Sequence, residues 1–396
     1  MRCRFESCFS PNPLLAHVTD LAGRIGPRGT GTRAEGQAAR YIRHQLGALG
    51  CRVEEQRFRA VADMNWFAVS AALFNLLGAA VYPWSGLIRW PAVFFAGLAA
   101  LLLWWALTRA DSPIRFALPR VRSQNIIARF APQRETMQRV VVLSHIDSNR
   151  CRLAWRAGRT TTIRIGSLVT LGVYTLNAAL YLFGAATGSS WPYFVSLPGT
   201  VYGTAALAIL LVELRLPYSP GANDNAAAVA VNLGIASALA CEPLASTEVW
   251  LAFTGAEEVD HRGLKELLKD HRELRDACFL DLEGVGAGEL HYLSYEGLLW
   301  HYRPDPGLLE LAGRVAKRHP GLKFKEAGMI IVDEVQTLRR LGYRAICLAG
   351  RDAVTGSLAH WHSRDDVAEN IDGDALVRTA GFVWALLQEL DQRREG

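Results

Sequence analysis

Several short stretches of the chain put acids and histidines where they could hold metal ions or move protons. Ser144-His145-Ile146-Asp147 follows the apolar run Val140–Leu143. A histidine there is either a hydrogen-bonded structural residue or a metal ligand, and a ligand histidine needs a nearby partner such as Asp147 to fix its tautomer. Gly221-Ala-Asn-Asp-Asn225 opens a helical stretch, where Asp224 is a candidate ligand or a simple helix N-cap. Gly255-Ala-Glu257-Glu258 follows the run Glu248–Phe253. Paired glutamates are usually solvated, but a pair directly after a buried strand and a glycine is placed to serve a site. Asp281-Leu-Glu283-Gly-Val-Gly286 sets two acids at the end of an apolar strand, and a buried carboxylate needs a compensating charge or metal. His360-Trp-His362-Ser-Arg-Asp-Asp366 lies in a polar loop before the last helix. Taken in order, these side chains are ones that zinc accepts.

The elements that must carry them alternate between strand and helix. Residues 34–49 read as an amphipathic helix closed by Gly50, Gln124–Phe130 and Arg139–Ser144 as strands, and Asn225–Leu239 as a helix. Glu248–Phe253 is a strand, Gly263–Asp270 a helix, Cys278–Leu282 and Ala345–Leu348 buried strands, and Ala375–Leu390 a closing helix. That alternation predicts an α/β fold with a mostly parallel, mixed sheet covered by helices on both faces. In such sheets functional residues gather at the carboxyl ends of the strands.

The composition points elsewhere as well. Of 396 residues, 50% are hydrophobic and only 20% charged, which is too apolar for a typical soluble enzyme. The excess is local: Met64–Ile88, Trp90–Thr108 and Ile165–Val212 carry no charge. A membrane-spanning helix needs about 20 apolar residues, so the last run is too long for one helix. Pro83-Trp-Ser-Gly86, Gly188-Ser-Ser-Trp-Pro192 and Pro198-Gly199 break these runs. Two transmembrane α-helical hairpins are expected, residues 65–82 with 89–108 and 165–184 with 194–213. They would interrupt one catalytic domain made of residues 1–63, 109–164 and 214–396, with hairpin segments 64–108 and 165–213. Trp66, Trp84, Trp90, Trp104, Trp105 and Trp191 fall near the proposed helix ends, as an interfacial belt requires. Core helices usually show a polar face, and these runs show none.

Arginines crowd the outer flanks (Arg57, Arg59, Arg109, Arg115, Arg120, Arg122, Arg150, Arg152, Arg156, Arg159, Arg164, Arg215), while the tips contain only Arg89. The positive-inside rule then puts the tips outside and the catalytic domain in the cytoplasm. The expected setting is an integral protein of a bacterial inner membrane, with no signal peptide in residues 1–50 and the lipid bilayer as a partner. Lys and Arg total 43 against 38 Asp and Glu, a net charge of +5 without a long basic tract, so nucleic-acid binding gets little support. The 7 cysteines are scattered without a CxxC, and reduced thiols are expected.

Taken together, His145-Ile-Asp147, Gly221-Ala-Asn-Asp-Asn225, Glu257-Glu258, Leu282-Glu283 and Trp361-His362-Ser-Arg-Asp-Asp-Val-Ala-Glu-Asn-Ile371 resemble the aminopeptidase Y/aminopeptidase S family of co-catalytic zinc peptidases. Relatives of that family include glutaminyl cyclases and transferrin-receptor-like ectodomains. The N-terminal Ala-Gly-Arg-Ile-Gly-Pro-Arg-Gly-Thr30 and Val332-Asp333-Glu334 resemble family positions too, the last standing where the family has Ser-Asp-His.

The resemblance implies a zinc-peptidase-like fold and two Zn²⁺ per chain. His145 and an acid at Glu283, or alternatively Asp281, would bind one ion, Glu258 and His362 the other, and Asp224 would bridge. Glu257 would be the general base and Asp147 would orient His145. The implied activity is hydrolysis of a peptide or amide bond. Alternatives are an amidohydrolase acting on a lipid-linked or N-acyl amide, a single-zinc glutaminyl-cyclase-like acyltransferase, and a catalytically dead membrane scaffold. Because the second hairpin separates His145-Ile-Asp147 from the Asp224 motif, its ends should emerge close to the metals. A substrate with an apolar portion is then expected.

Overall fold

The computed structural model describes residues 9–83 and 89–392, which divide into two compact units. The first comprises residues 1–60, 121–160 and 218–396, and the second residues 61–120 and 161–217.

The first unit is built on an eight-stranded sheet of β1 (Val53–Val61), β2 (Arg120–Phe130), β3 (Gln138–His145), β4 (Thr247–Thr254), β5 (Cys278–Glu283), β6 (Glu289–Tyr295), β7 (Lys325–Gly328) and β8 (Arg344–Arg351). The order across the sheet is β1-β2-β4-β3-β5-β8-β6-β7. The central strands β4, β3, β5 and β8 run parallel, while β2 on β4 and β6 on β8 are antiparallel. The sheet is therefore mixed, as expected.

Alternate residues of the central strands feed two separate cores. Val140, Val142, Val249, Leu251, Phe253, Leu280, Leu282, Ile346 and Leu348 pack under the helices Pro11–Val18, Arg33–Ala48, Ala227–Cys241, Pro306–Arg318 and Gly373–Gln392. Val141, Leu143, Trp250, Ala252, Phe279, Ala345 and Cys347 face the helices Arg262–Asp270 and Glu334–Arg340. Burial on both faces explains why these strands read as unbroken apolar runs. Register brings the strand ends level: His145 of β3 pairs with Thr254 of β4, and Leu143 with Asp281 of β5.

The second unit holds the helices Asn65–Val81, Arg89–Thr108, Thr160–Thr187 and Trp191–Glu213, at the segments where apolar helices were expected. Trp84 to Gly86, the middle of the first expected tip, lie outside the described residues. Small residues line the contact between the first two helices, where a Cβ on Gly78 would meet the Ala92 carbonyl oxygen at 3.1 Å. Polar groups turn inward: Asn177 donates to Asn75 at 3.1 Å, and Ser196 to the Tyr181 hydroxyl at 3.0 Å. Such bonds in a helix bundle average about 0.6 kcal/mol, so they set register more than they stabilise. Phe94, Phe194, Val201 and Ile165 face outward, exposed. The tip arginine is not free, because Arg89 donates to the carbonyls of Gly184 and Ser189 and to the Ser190 hydroxyl.

All-round apolarity does not by itself mark a helix of this chain as membrane-spanning. Among the described residues, four helices are long and apolar enough to span a membrane by length and composition: Arg89–Thr108, Thr160–Thr187, Trp191–Glu213 and Ala222–Cys241. The last is 83% buried and fills the core beside β3, against 22% and 17% for the helices Thr160–Thr187 and Trp191–Glu213. The expectation that a core helix shows a polar face fails there, since a helix covered on every side needs none. Among the described residues Cys51, Cys151, Cys241, Cys278 and Cys347 form no disulfide, and Cys3 and Cys8 lie outside them.

Candidate metal centre

His145 ends β3, and the turn after it folds back on the ring. The Asp147 backbone carbonyl lies 2.9 Å from His145 Nδ1, which fixes the proton there and leaves Nε2 as the open donor atom. The Asp147 carboxylate is 3.6 Å from the same nitrogen and accepts from the Thr30 hydroxyl at 2.7 Å and the Glu257 backbone N–H at 3.0 Å. It therefore fixes the Glu257 backbone more directly than the His145 ring. His362 is held in the same way, with Nδ1 2.8 Å from the Trp155 carbonyl oxygen.

Asp224 lies between the two imidazoles. Its Oδ1 is 3.1 Å from His145 Nε2, and its Oδ2 is 3.4 Å from His362 Nε2. Each histidine has a further glutamate at hand: Glu283 Oε2 is 3.5 Å from His145 Nε2, and Glu258 Oε2 is 3.5 Å from His362 Nε2. The helix-cap reading of Asp224 does not hold, since no side chain caps the helix Ala227–Cys241.

The flanking asparagines explain the rest of that motif. Asn223 accepts from the Gly286 N–H and donates to the Ala359 carbonyl, and Asn225 donates to the Leu282 carbonyl and to Glu283. Asp366 takes the N–H groups of Asn223 and Asp224 at 2.6 and 3.2 Å. Gly221 has φ +67°, and a Cβ there would sit 2.6 Å from Ser148 Cβ, so glycine is required.

The adjacent glutamates diverge because Ala256 before them takes a left-handed backbone, φ 51°. Glu258 turns to His362, while Glu257 places Oε2 3.9 Å from His145 Nε2 and Oε1 3.4 Å from His261 Nε2. Burial pushes the Glu257 carboxyl well above the usual carboxylate range; His145 opposes that, and Glu258, Glu283 and Glu334 add to it. Asp224 goes the other way: burial raises it, but His145, His362 and Arg28 hold it below its ordinary value. Burial lowers the His145 pKa, yet Glu283 and Glu257 carry it well above the ordinary imidazole value. The group thus carries more negative charge than its two imidazoles balance. His145 Nε2 and Glu258 Oε1 are also buried without a hydrogen-bond partner. An all-nitrogen and oxygen donor set with surplus negative charge fits divalent zinc.

Asp281 and Glu283 share one face of β5, two residues apart, but only Glu283 reaches His145. Asp281 lies deeper, beside Asp333 and Cys347. His362, not His360, brings its imidazole to Asp224.

Two further side chains support the site. Arg28, only 1% exposed, donates to the carbonyls of Leu21, Gly26, Ile146, Pro220 and Gly221, tying the turn after β3 to the Asp224 turn. Burial lowers its pKa to about 10, with Asp366, Asp224 and Asp147 opposing, so it stays charged at neutral pH. Asn149 donates to Glu258 Oε2 at 2.6 Å and lies 3.2 Å from His362 Nε2. The motif Gly26-Pro-Arg28 could have signalled the first, and no motif signals Asn149.

Residues 211–387 match the sequence profile of peptidase family M28. That span holds Asp224, Glu257, Glu258, Glu283 and His362, and leaves His145 and Asp147 upstream. Among solved structures, a zinc aminopeptidase from Bacillus subtilis shares the fold with a TM-score of 0.58 and 16% identity, covering 96% of this chain and 95% of its own. A glutaminyl cyclase from Bacteroides thetaiotaomicron gives 0.58 and 15%, with 96% and 98% covered. A Zn-dependent exopeptidase from Parabacteroides distasonis gives 0.57 and 14%, with 98% and 99% covered. No curated protein matches the sequence. The profile match supports a metallopeptidase, and the solved structures show the shared fold.

Proposed function

We propose that the chain is a membrane-embedded aminopeptidase working with two zinc ions. The observation that carries this reading is Asp224, whose two oxygens face two imidazoles, each with a further glutamate beside it. His145 and Glu283 would hold one ion, His362 and Glu258 the other, and Asp224 would bridge. When bound, zinc polarises the scissile carbonyl and makes a coordinated water acidic near neutral pH. Glu257 is placed to take the water's proton and return it to the departing amine, a task suited to a carboxyl raised by burial. Asp147 sets that base through the Glu257 backbone and, through its own carbonyl, keeps the His145 proton on Nδ1.

The competing reading is a single-zinc cyclase, favoured by the fold shared with a glutaminyl cyclase. Metal analysis of wild type against Asp224→Ala, with aminoacyl amides and N-terminal glutamine peptides as substrates, separates the two. Loss of two zincs and release of N-terminal residues is expected. Loss of one zinc with cyclisation of glutamine would replace the peptidase.

The membrane part of the proposal rests on the long, outward-apolar helices of the second unit and on the flanking arginines. Both termini and the first unit are then cytoplasmic, in a bacterial inner membrane. With native cysteines replaced, a cysteine near Ser189 should react with an impermeant reagent on intact cells and one near Arg156 should not. The reverse pattern would overturn the orientation.

Residues 165–213 interrupt the chain between His145 and Asp224, which supports a substrate carrying an apolar portion. An amide bearing a long acyl chain should be cleaved with higher kcat/KM in liposomes than the same amide without it. Equal values would leave the helices as a simple tether.

A further inference from the structure

Beneath the catalytic group, on the same face of the sheet, lies a second cluster that plays no part in the reaction above. Asp281 on β5 pairs across the strands with Cys347 on β8. Asp333, which caps the helix Glu334–Arg340, closes the third side. One oxygen from each aspartate and the Cys347 sulfur lie within 4.8 Å of one another. Glu296, directly after β6, hydrogen-bonds to Asp333. All four side chains are buried.

These groups are badly matched to each other as they stand. Asp281 Oδ2, Asp333 Oδ2 and Glu296 Oε1 are buried with no hydrogen-bond partner. The charges facing Asp281 are chiefly Asp333, Glu334 and Glu283, opposed by His145, which already serves the catalytic group. Those facing Glu296 are Asp333, Asp281 and Glu283. Leaving a buried polar atom unsatisfied is costly, and protons alone would leave several such atoms without an acceptor or donor. One cation answers all of them at once.

We propose that Asp281, Asp333 and Cys347, with Glu296 beside them, form a third divalent-cation site, distinct from the two-ion group of Asp224. Two carboxylates with a thiolate select a borderline ion such as zinc over magnesium or calcium. As the ion binds, Cys347 gives up its thiol proton to solvent, and the proton shared by Glu296 and Asp333 leaves as well. The ion would pin β5 and β8 to the start of the helix Glu334–Arg340, directly below Glu283. Its existence does not depend on Glu257 acting as a base.

Cadmium distinguishes this site, because the catalytic group offers only nitrogen and oxygen donors. The full-length chain, stripped of metal and titrated with Cd²⁺, should develop a thiolate-to-metal ultraviolet band. Cys347→Ser should abolish that band and bind one ion fewer than wild type while still gaining the ions held by Asp224. Asp281→Asn, which keeps the side-chain shape, should lose the same ion. No band in the wild type, an undiminished band in Cys347→Ser, or equal ion counts would overturn the proposal and leave a cluster of protonated acids only.

Discussion

Glu257→Gln is expected to lower hydrolysis by about 10²–10⁴-fold, the usual loss when a general base is removed. Zinc content should stay at the wild-type value, because the histidines have nearer carboxylates. His145 Nε2 is 3.1 Å from Asp224 and 3.5 Å from Glu283, but 3.9 Å from Glu257. Glutamine keeps the size and the backbone N–H that Asp147 holds, so the turn should survive. The variant removes one capability only, that of accepting a proton. A rate above about a tenth of wild type would remove Glu257 from that role, and a lost zinc would make it a ligand instead.

The parts of the fold that could be read from the sequence are those buried on both faces. Val140–Leu143 and Cys278–Leu282 stand out because nothing polar interrupts them, and the helix Arg33–Ala48 because its buried face recurs through Ala38, Ala39, Ile42 and Leu46. The edge strands escaped notice for the opposite reason. β1, Val-Glu-Glu-Gln-Arg-Phe-Arg-Ala-Val, is largely polar, and β7 is only Lys-Glu-Ala-Gly. Neither has a pattern distinct from a loop.

The site was legible as a set of residue types more than as a geometry. Asp281 and Glu283 point to one face of one strand, so local sequence treats them alike; only His145 beside Glu283 and Cys347 beside Asp281 separate them. Asn149 was harder still, because no motif marks it and only the fold brings it to Glu258 and His362. The apolar helix Ala227–Cys241 gives the complementary lesson. Apolar residues all round a helix record that it is covered, and leave open whether protein or lipid covers it.

Asp224→Ala is expected to lose both catalytic zincs and, with them, all measurable hydrolysis. The substitution removes the one carboxylate that faces both imidazoles, so each ion would keep a single histidine and a single glutamate. The turn itself should stay in place. Asp366 holds the N–H groups of residues 223 and 224, and Asn223 and Asn225 bind across to the end of β5, none of which involves the Asp224 side chain. Without metal the variant should already be less stable than wild type, because His145, His362 and Arg28 hold Asp224 charged and would lose that partner. The test of the bridge is the change on adding zinc. An ion that binds only the folded chain stabilises it by about 2.7 kcal/mol at 100 times its Kd, and a variant that cannot bind gains nothing. Thermal unfolding with and without zinc therefore reads the bridge independently of activity. A zinc-dependent rise in Tm equal to wild type, with the zinc count unchanged, would mean that some other group joins the ions.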